Sequence, residues 1–147
     1  MRKTFPILTL LASIAAGPAV AGEPAEAVRY FYENIGAEVD VASRDRFTSP
    51  ALDFLNAADA AWDRDETVCI DFGFAVDAQD FDEDEIATTL KLDETVEGDT
   101  ARVSARFENF GQPTQVDWTL RKGATGWLVA DIAAPDKSWS VSTMECQ

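Results

Sequence analysis

The chain contains no histidine. That absence excludes Ser-His-Asp and Cys-His catalysis, the usual zinc sites and imidazole-based proton transfer. Positive charge is scarce: 12 Lys and Arg stand against 27 Asp and Glu, a formal net charge of −15. Two of those bases, Arg2 and Lys3, sit at the extreme N-terminus, so residues 22–147 carry −17. A surface that negative repels nucleic acid and anionic lipid, and it attracts a basic protein. Cysteine is limited to Cys69 and Cys146. No apolar run reaches the roughly 20 residues that a membrane-spanning helix needs.

The longest such run, Phe5–Ala16, has a different use. It follows the basic pair and is followed by the helix breakers Gly17 and Pro18, then by Ala19-Val20-Ala21. Charge, apolar run and a small-residue A-x-A site, in that order, form a secretory signal peptide, because the peptidase pocket admits only small side chains. The expected products are a signal over residues 1–21, cleavage between Ala21 and Gly22, and a single periplasmic or secreted domain over 22–147, free of the membrane once cleaved. No cysteine closely follows the run, which argues against a lipid anchor. Two cysteines in an oxidising compartment predict one disulfide, Cys69–Cys146. An apolar fraction of 46%, with four Trp and nine Phe, supplies a core and separates this chain from disordered acidic tails.

The apolar pattern changes period along the chain. Val28, Phe31, Tyr32 and Ile35 recur at helical spacing, predicting a helix over 24–35 that Gly36 stops. A second helix is predicted over 50–63, capped by Ser49, with Leu52, Leu55, Ala58 and Trp62 on its apolar stripe. A short helix is expected within 41–48. After Asp65 the period falls to two, predicting strands over 67–74, 86–95, 100–110, 114–122 and 127–132. The clearest are Ala101, Val103, Ala105 and Phe107 inward on one strand, and Val116, Trp118 and Leu120 inward on the next. Short Gly-containing connections between them read as an antiparallel meander. Helices followed by a run of strands is an α+β layout, with N-terminal helices packed on a sheet of four to five strands.

Four stretches carry a resemblance to a known family. They are V-R-Y-F-Y (Val28–Tyr32), D-A-Q-D-F-D (Asp77–Asp82), G-D-T-A-R-V (Gly98–Val103) and G-W-L-V-A-D-I (Gly126–Ile132). In order and spacing the chain resembles the NTF2-like (cystatin-like) superfamily, and within it the exported bacterial domains of the DUF3828 type, over roughly residues 24–135. The resemblance implies a curved antiparallel sheet wrapped on helices as a cone with an apolar pocket. It implies no activity, because this fold hosts isomerases, binding modules and assembly domains alike.

Two groups of residues are candidates for function. The acidic stretch Asp77–Glu85 places Asp80, Asp82 and Asp84 at the one-three-five spacing of a calcium loop. The match then fails, because Glu85 stands where the turn needs Gly and Lys91 where a bidentate Glu is required. No metal and no cofactor are therefore expected, and the stretch reads as an exposed contact loop for a basic protein partner. The second group is a pocket of Tyr30, Asp71, Trp118 and Asp131 in the cone, with Trp118 as wall. The expected function is a non-catalytic exported binding module. It would hold a protein partner through its acidic surface, as immunity and inhibitor proteins do, or a small apolar ligand in the cone. The alternative is a ketosteroid-isomerase- or dehydratase-like enzyme, with Tyr30 and the carboxylates of Asp71 and Asp131 working on one substrate atom. A tyrosine and two carboxylates converging in the cone would favour the enzyme, and a filled cone the binding module.

Overall fold

The helical layer begins with α1 (Glu23–Glu33), whose Val28, Phe31 and Tyr32 are buried and whose first turn carries Glu23 and Glu26 beside the positive end of the helix dipole. The computed structural model describes residues 23–146. The expected signal peptide and the Ala21–Gly22 junction lie outside the described residues. A 3₁₀ turn follows at Val41–Arg46, held at its start by Asp40, whose carboxylate accepts from Ala42 N at 2.9 Å.

Helix α2 (Ala51–Asp65) buries Ala51, Phe54, Leu55, Ala58 and Ala61. This corrects the predicted stripe: Trp62 is 54% exposed, because the small Ala51, Ala58 and Ala61 let the helix approach the core on a face rotated by about one residue. Nor does Ser49 cap the helix. Its hydroxyl donates to Asp53 Oδ1 at 2.8 Å, and Pro50 occupies the cap position.

The sheet has five strands in the order β1-β2-β3-β4-β5, each antiparallel to its neighbour. They are β1 (Lys91–Glu97), β2 (Thr100–Asn109), β3 (Gln112–Lys122), β4 (Trp127–Ala134) and the short β5 (Trp139–Ser140). Glu97 pairs with Thr100 around a two-residue turn opened by Gly98 at φ 61°. Asn109 pairs with Gln112 around Phe110 and Gly111, both left-handed at φ 50° and 73°. Two positive φ values define a type I′ turn, whose twist suits a hairpin, and Phe is an unusual residue to hold one. The predicted alternation on β2 and β3 holds, with the inward residues buried. The register shifts at Thr119/Leu120 against β4, a bulge of the kind that bends a sheet. The N-terminal helices pack on the inner face of this curved sheet, an α+β fold as the sequence predicts.

Two predicted strands are corrected. Residues 67–74 form no ladder beyond the isolated bridge Gly73–Ala78. The β-formers there are satisfied by packing instead: Phe72 and Phe74 lie 5.2 and 5.7 Å, ring to ring, from Trp139. Residues 86–95 divide into α3 (Glu83–Thr89) and β1. Ile86 and Leu90 are four apart, a spacing that suits both periods, and the acidic first turn of Glu83, Asp84 and Glu85 decides for helix.

The predicted disulfide is present. Cys69 and Cys146 are joined with Cα atoms 5.5 Å apart, tying the segment after α2 to the C-terminal tail. The tail is fastened again at Asp77, whose carboxylate receives Trp139 Nε1 at 2.8 Å and Lys137 Nζ at 2.9 Å. Among the described residues no helix is long and apolar enough to cross a membrane.

Candidate functional site

The inner face of the sheet is filled. Trp118 has no exposed surface. It stacks on Phe31 at 5.0 Å between ring centres and meets Tyr32 edge-on at 6.0 Å. Its indole N–H donates to the Tyr32 hydroxyl at 3.2 Å, and Phe107 closes the other side of Tyr32 at 5.6 Å. Burial pushes the Tyr32 hydroxyl's pKa far up, so it stays protonated.

The one carboxylate buried beside this cluster is Glu38, which also has no exposed surface. Its oxygens accept from Gly36 N at 3.1 Å and from Ala75 N at 3.2 Å. Burial raises its pKa, and the backbone N–H donors pull it part of the way back. Glu38 thus fastens the chain after α1 to the segment around Ala75, and its oxygens already serve the backbone. The sequence reading missed it. The signal that could have found it is a lone Glu between the apolar Ala37 and Val39.

The structure scatters the four residues expected to line a pocket. Trp118 is core. Tyr30 is half-buried, with the Arg46 guanidinium 3.5 Å above its ring. Asp131 pairs in register with Thr119, one place off Trp118, so it lies on the opposite face of the sheet. There its carboxylate accepts from Ser142 N at 2.9 Å and Ser142 Oγ at 2.7 Å. Asp71 is exposed on the segment after α2. The most enclosed cavity described, about 190 Å³ beneath the β3–β4 turn, is lined by Phe31, Asp45, Arg46, Trp127 and neighbours, and by none of the four. Among the described residues, none of the cavities described is lined by both a tyrosine and a carboxylate.

The acidic stretch is more ordered than the exposed contact loop the sequence predicts, since its second half begins a helix. Asp82 caps α3, its Oδ1 accepting from Glu85 N at 3.0 Å. Asp82 N donates to Asn109 Oδ1 at 2.9 Å, and Asn109 Nδ2 donates to Asp80 O at 3.1 Å. Glu85 takes Gly111 N at 3.0 Å. The stretch is thereby fastened to the β2–β3 turn and forms one edge of the molecule. Asp80, Glu83 and Asp84 remain exposed there. So do two aromatics, Phe81 at 39% and Phe110 at 61%. Exposed aromatics ringed by like charges have the composition of a protein-contact edge: apolar anchors for affinity, and a field for steering. The sequence reading found the carboxylates and missed both rings, because only the fold brings residues 81 and 110 to one edge.

No protein-family model matches this chain, and no curated protein matches it. Two solved structures do. A chain of the type VI native effector-immunity complex Tae3-Tai3 from Ralstonia pickettii aligns with a TM-score of 0.55 and 16% identity, covering 79% of this chain and 94% of that one. The selenomethionine form of the same complex gives 0.53 and 17%, covering 79% and 97%. The likeness is one of fold.

Proposed function

We propose that this chain is an exported, non-catalytic protein-binding module of immunity or inhibitor type. In this reading the edge built from Asp80, Asp82, Asp84, Phe81 and Phe110 meets a basic face of a protein partner. The observation that carries it is the filled inner face, where Trp118 sits with no exposed surface. A face packed by its own aromatics supports a binding module over an isomerase-like reaction or an apolar ligand held there. The disulfide suits an oxidising compartment, and the net charge of −17 on residues 22–147 suits a basic partner. That solved structures of this fold come from an effector-immunity complex adds support. The chain is then an NTF2-like domain whose cone is plugged by its own aromatics.

The test begins with affinity purification of the tagged mature protein from its native envelope fraction, followed by kinetics with whatever protein is retained. Exchanging Asp80, Asp82 and Asp84 together for Asn should slow association severalfold at low salt and change little at high salt, where screening already acts within about 8 Å. Phe81→Ala with Phe110→Ala should raise the dissociation rate. Wild-type rates for both variants, or a small apolar molecule retained in place of any protein, would refute the reading.

A further inference from the structure

A second surface stands apart from the acidic edge. The segment Thr67–Ile70 has strand-forming side chains and no strand to pair with. Among the described residues, the backbone N–H and C=O groups of Val68, Cys69 and Ile70 make no hydrogen bond. Backbone groups left open in this way are a template for another chain, and proteins ordinarily blunt them with charge. The sheet's outer strand β1 is guarded so, by Lys91, Asp93, Glu94 and Glu97. Thr67–Ile70 carries no charge at all.

The segment is also held in place. Glu66, left-handed at φ 60°, ends α2 just before it, and the disulfide pins Cys69. Beside it lies an apolar groove of about 260 Å³, lined by Val39, Ala58, Trp62, Val68 and Ile70 with Asp59. Val68 is 64% exposed and Trp62 54%. Acids surround it in sequence at Asp59, Asp63, Asp65, Glu66 and Asp71. Asp59 is paired with Arg44 at 2.9 Å and Asp65 with Arg64 at 3.1 Å, which leaves Asp63, Glu66 and Asp71 without an ion pair among the described residues.

We propose that Thr67–Ile70 is a strand-addition site for an extended protein segment that alternates apolar and Lys or Arg residues. Its backbone would pair with Val68–Ile70, its apolar side chains would enter the Trp62–Val68 groove, and its cations would meet the acidic surround. A second copy of this chain is a poor occupant, because pairing two copies there would set the same acids against one another.

The probe is a seven-residue peptide of alternating Lys and Val, titrated into the mature, disulfide-bonded protein and followed by amide NMR and hydrogen exchange. A peptide of alternating Lys and Pro has the same charge without the N–H groups a ladder needs. The Lys-Val peptide should slow exchange at the alternate residues Val68 and Ile70 and shift the Trp62 indole signal, and the Lys-Pro peptide should do neither. Val68→Pro should abolish the protection with the disulfide and melting temperature retained. If that variant does not fold, Val68→Lys decides, with severalfold weaker binding expected from like charge. Equal responses to both peptides, wild-type affinity in Val68→Lys, or a dimer in sedimentation that Val68→Lys dissolves would overturn the proposal. The assay involves neither the acidic edge nor a natural partner, so it can fail while the proposed function stands, and the reverse.

Discussion

Replacing Glu38 by Ala is the sharpest test of how this fold is held. The carboxylate has no exposed surface, and its two oxygens hold Gly36 N–H at 3.1 Å and Ala75 N–H at 3.2 Å. A buried donor left without a partner costs about 1–3 kcal/mol, and because Ala75 N–H is buried and Gly36 N–H only partly so, the pair sets an upper limit of about 6 kcal/mol. Removing a desolvated carboxylate offsets part of this, which places the expected value at about 2–4 kcal/mol. Glu38→Gln keeps the shape and one acceptor, and is expected to lose less.

The two variants also separate by pH. Burial raises the folded pKa of Glu38 above its ordinary 4.5. Between those two values the folded state binds more protons than the unfolded state, so the contribution of Glu38 to stability falls as pH rises through that window. Above the raised value it is constant. The stability gap between wild type and Glu38→Gln should therefore narrow from the low-pH end of the window upward, then level off. Urea unfolding at a series of pH values measures both effects. A Glu38→Ala loss below about 1 kcal/mol would mean that those N–H groups have other partners, and the reasoning about orphaned buried donors would be wrong. A gap that is flat across the window would refute the linkage.

Two further expectations follow from the geometry. Replacing Cys69 and Cys146 by Ala opens a loop spanning 77 residues, and chain-entropy reasoning sets the loss at about 4.5 kcal/mol, read from urea unfolding extrapolated to water, with a steeper slope because the unlinked chain unfolds to a more expanded state. Asp82→Ala removes the cap of α3 and should cost about 1 kcal/mol, seen as faster amide exchange at Glu85, whereas Asp82→Asn keeps an acceptor and should cost far less.

The hairpins of β2, β3 and β4 are legible in the sequence because one side of each strand is buried, and burial writes a period of two into the residues. Helix α2 is legible as a helix, but its facing is not. Three small alanines choose the buried side by allowing close approach, and a pattern weighted towards large apolar residues points to Trp62 instead. Residues 67–74 mislead for a related reason. Propensity reports that a side chain suits a half-buried surface, and here Trp139 supplies that surface from far along the chain. Residues 86–95 mislead because Ile86 and Leu90 fit either period. The disulfide follows from compartment and an even count. The acidic edge is half legible: the carboxylates lie together in sequence, but Phe110 reaches them only through the fold, and Glu38 is marked in sequence by little more than two apolar neighbours.

The link between Cys69 and Cys146 closes one covalent ring around all five strands, and α1 and α2 lie outside it. A protease cutting the exposed turn at Gly98 would leave a nicked ring, still one covalent molecule, with its strands able to re-pair in place. A cut at Thr67 would separate α1 and α2 from the sheet, leaving only non-covalent packing to hold them. Damage tolerance is thus unevenly distributed: the sheet can survive being cut, and the short stretch between α2 and Cys69 alone ties α1 and α2 covalently to the closed ring.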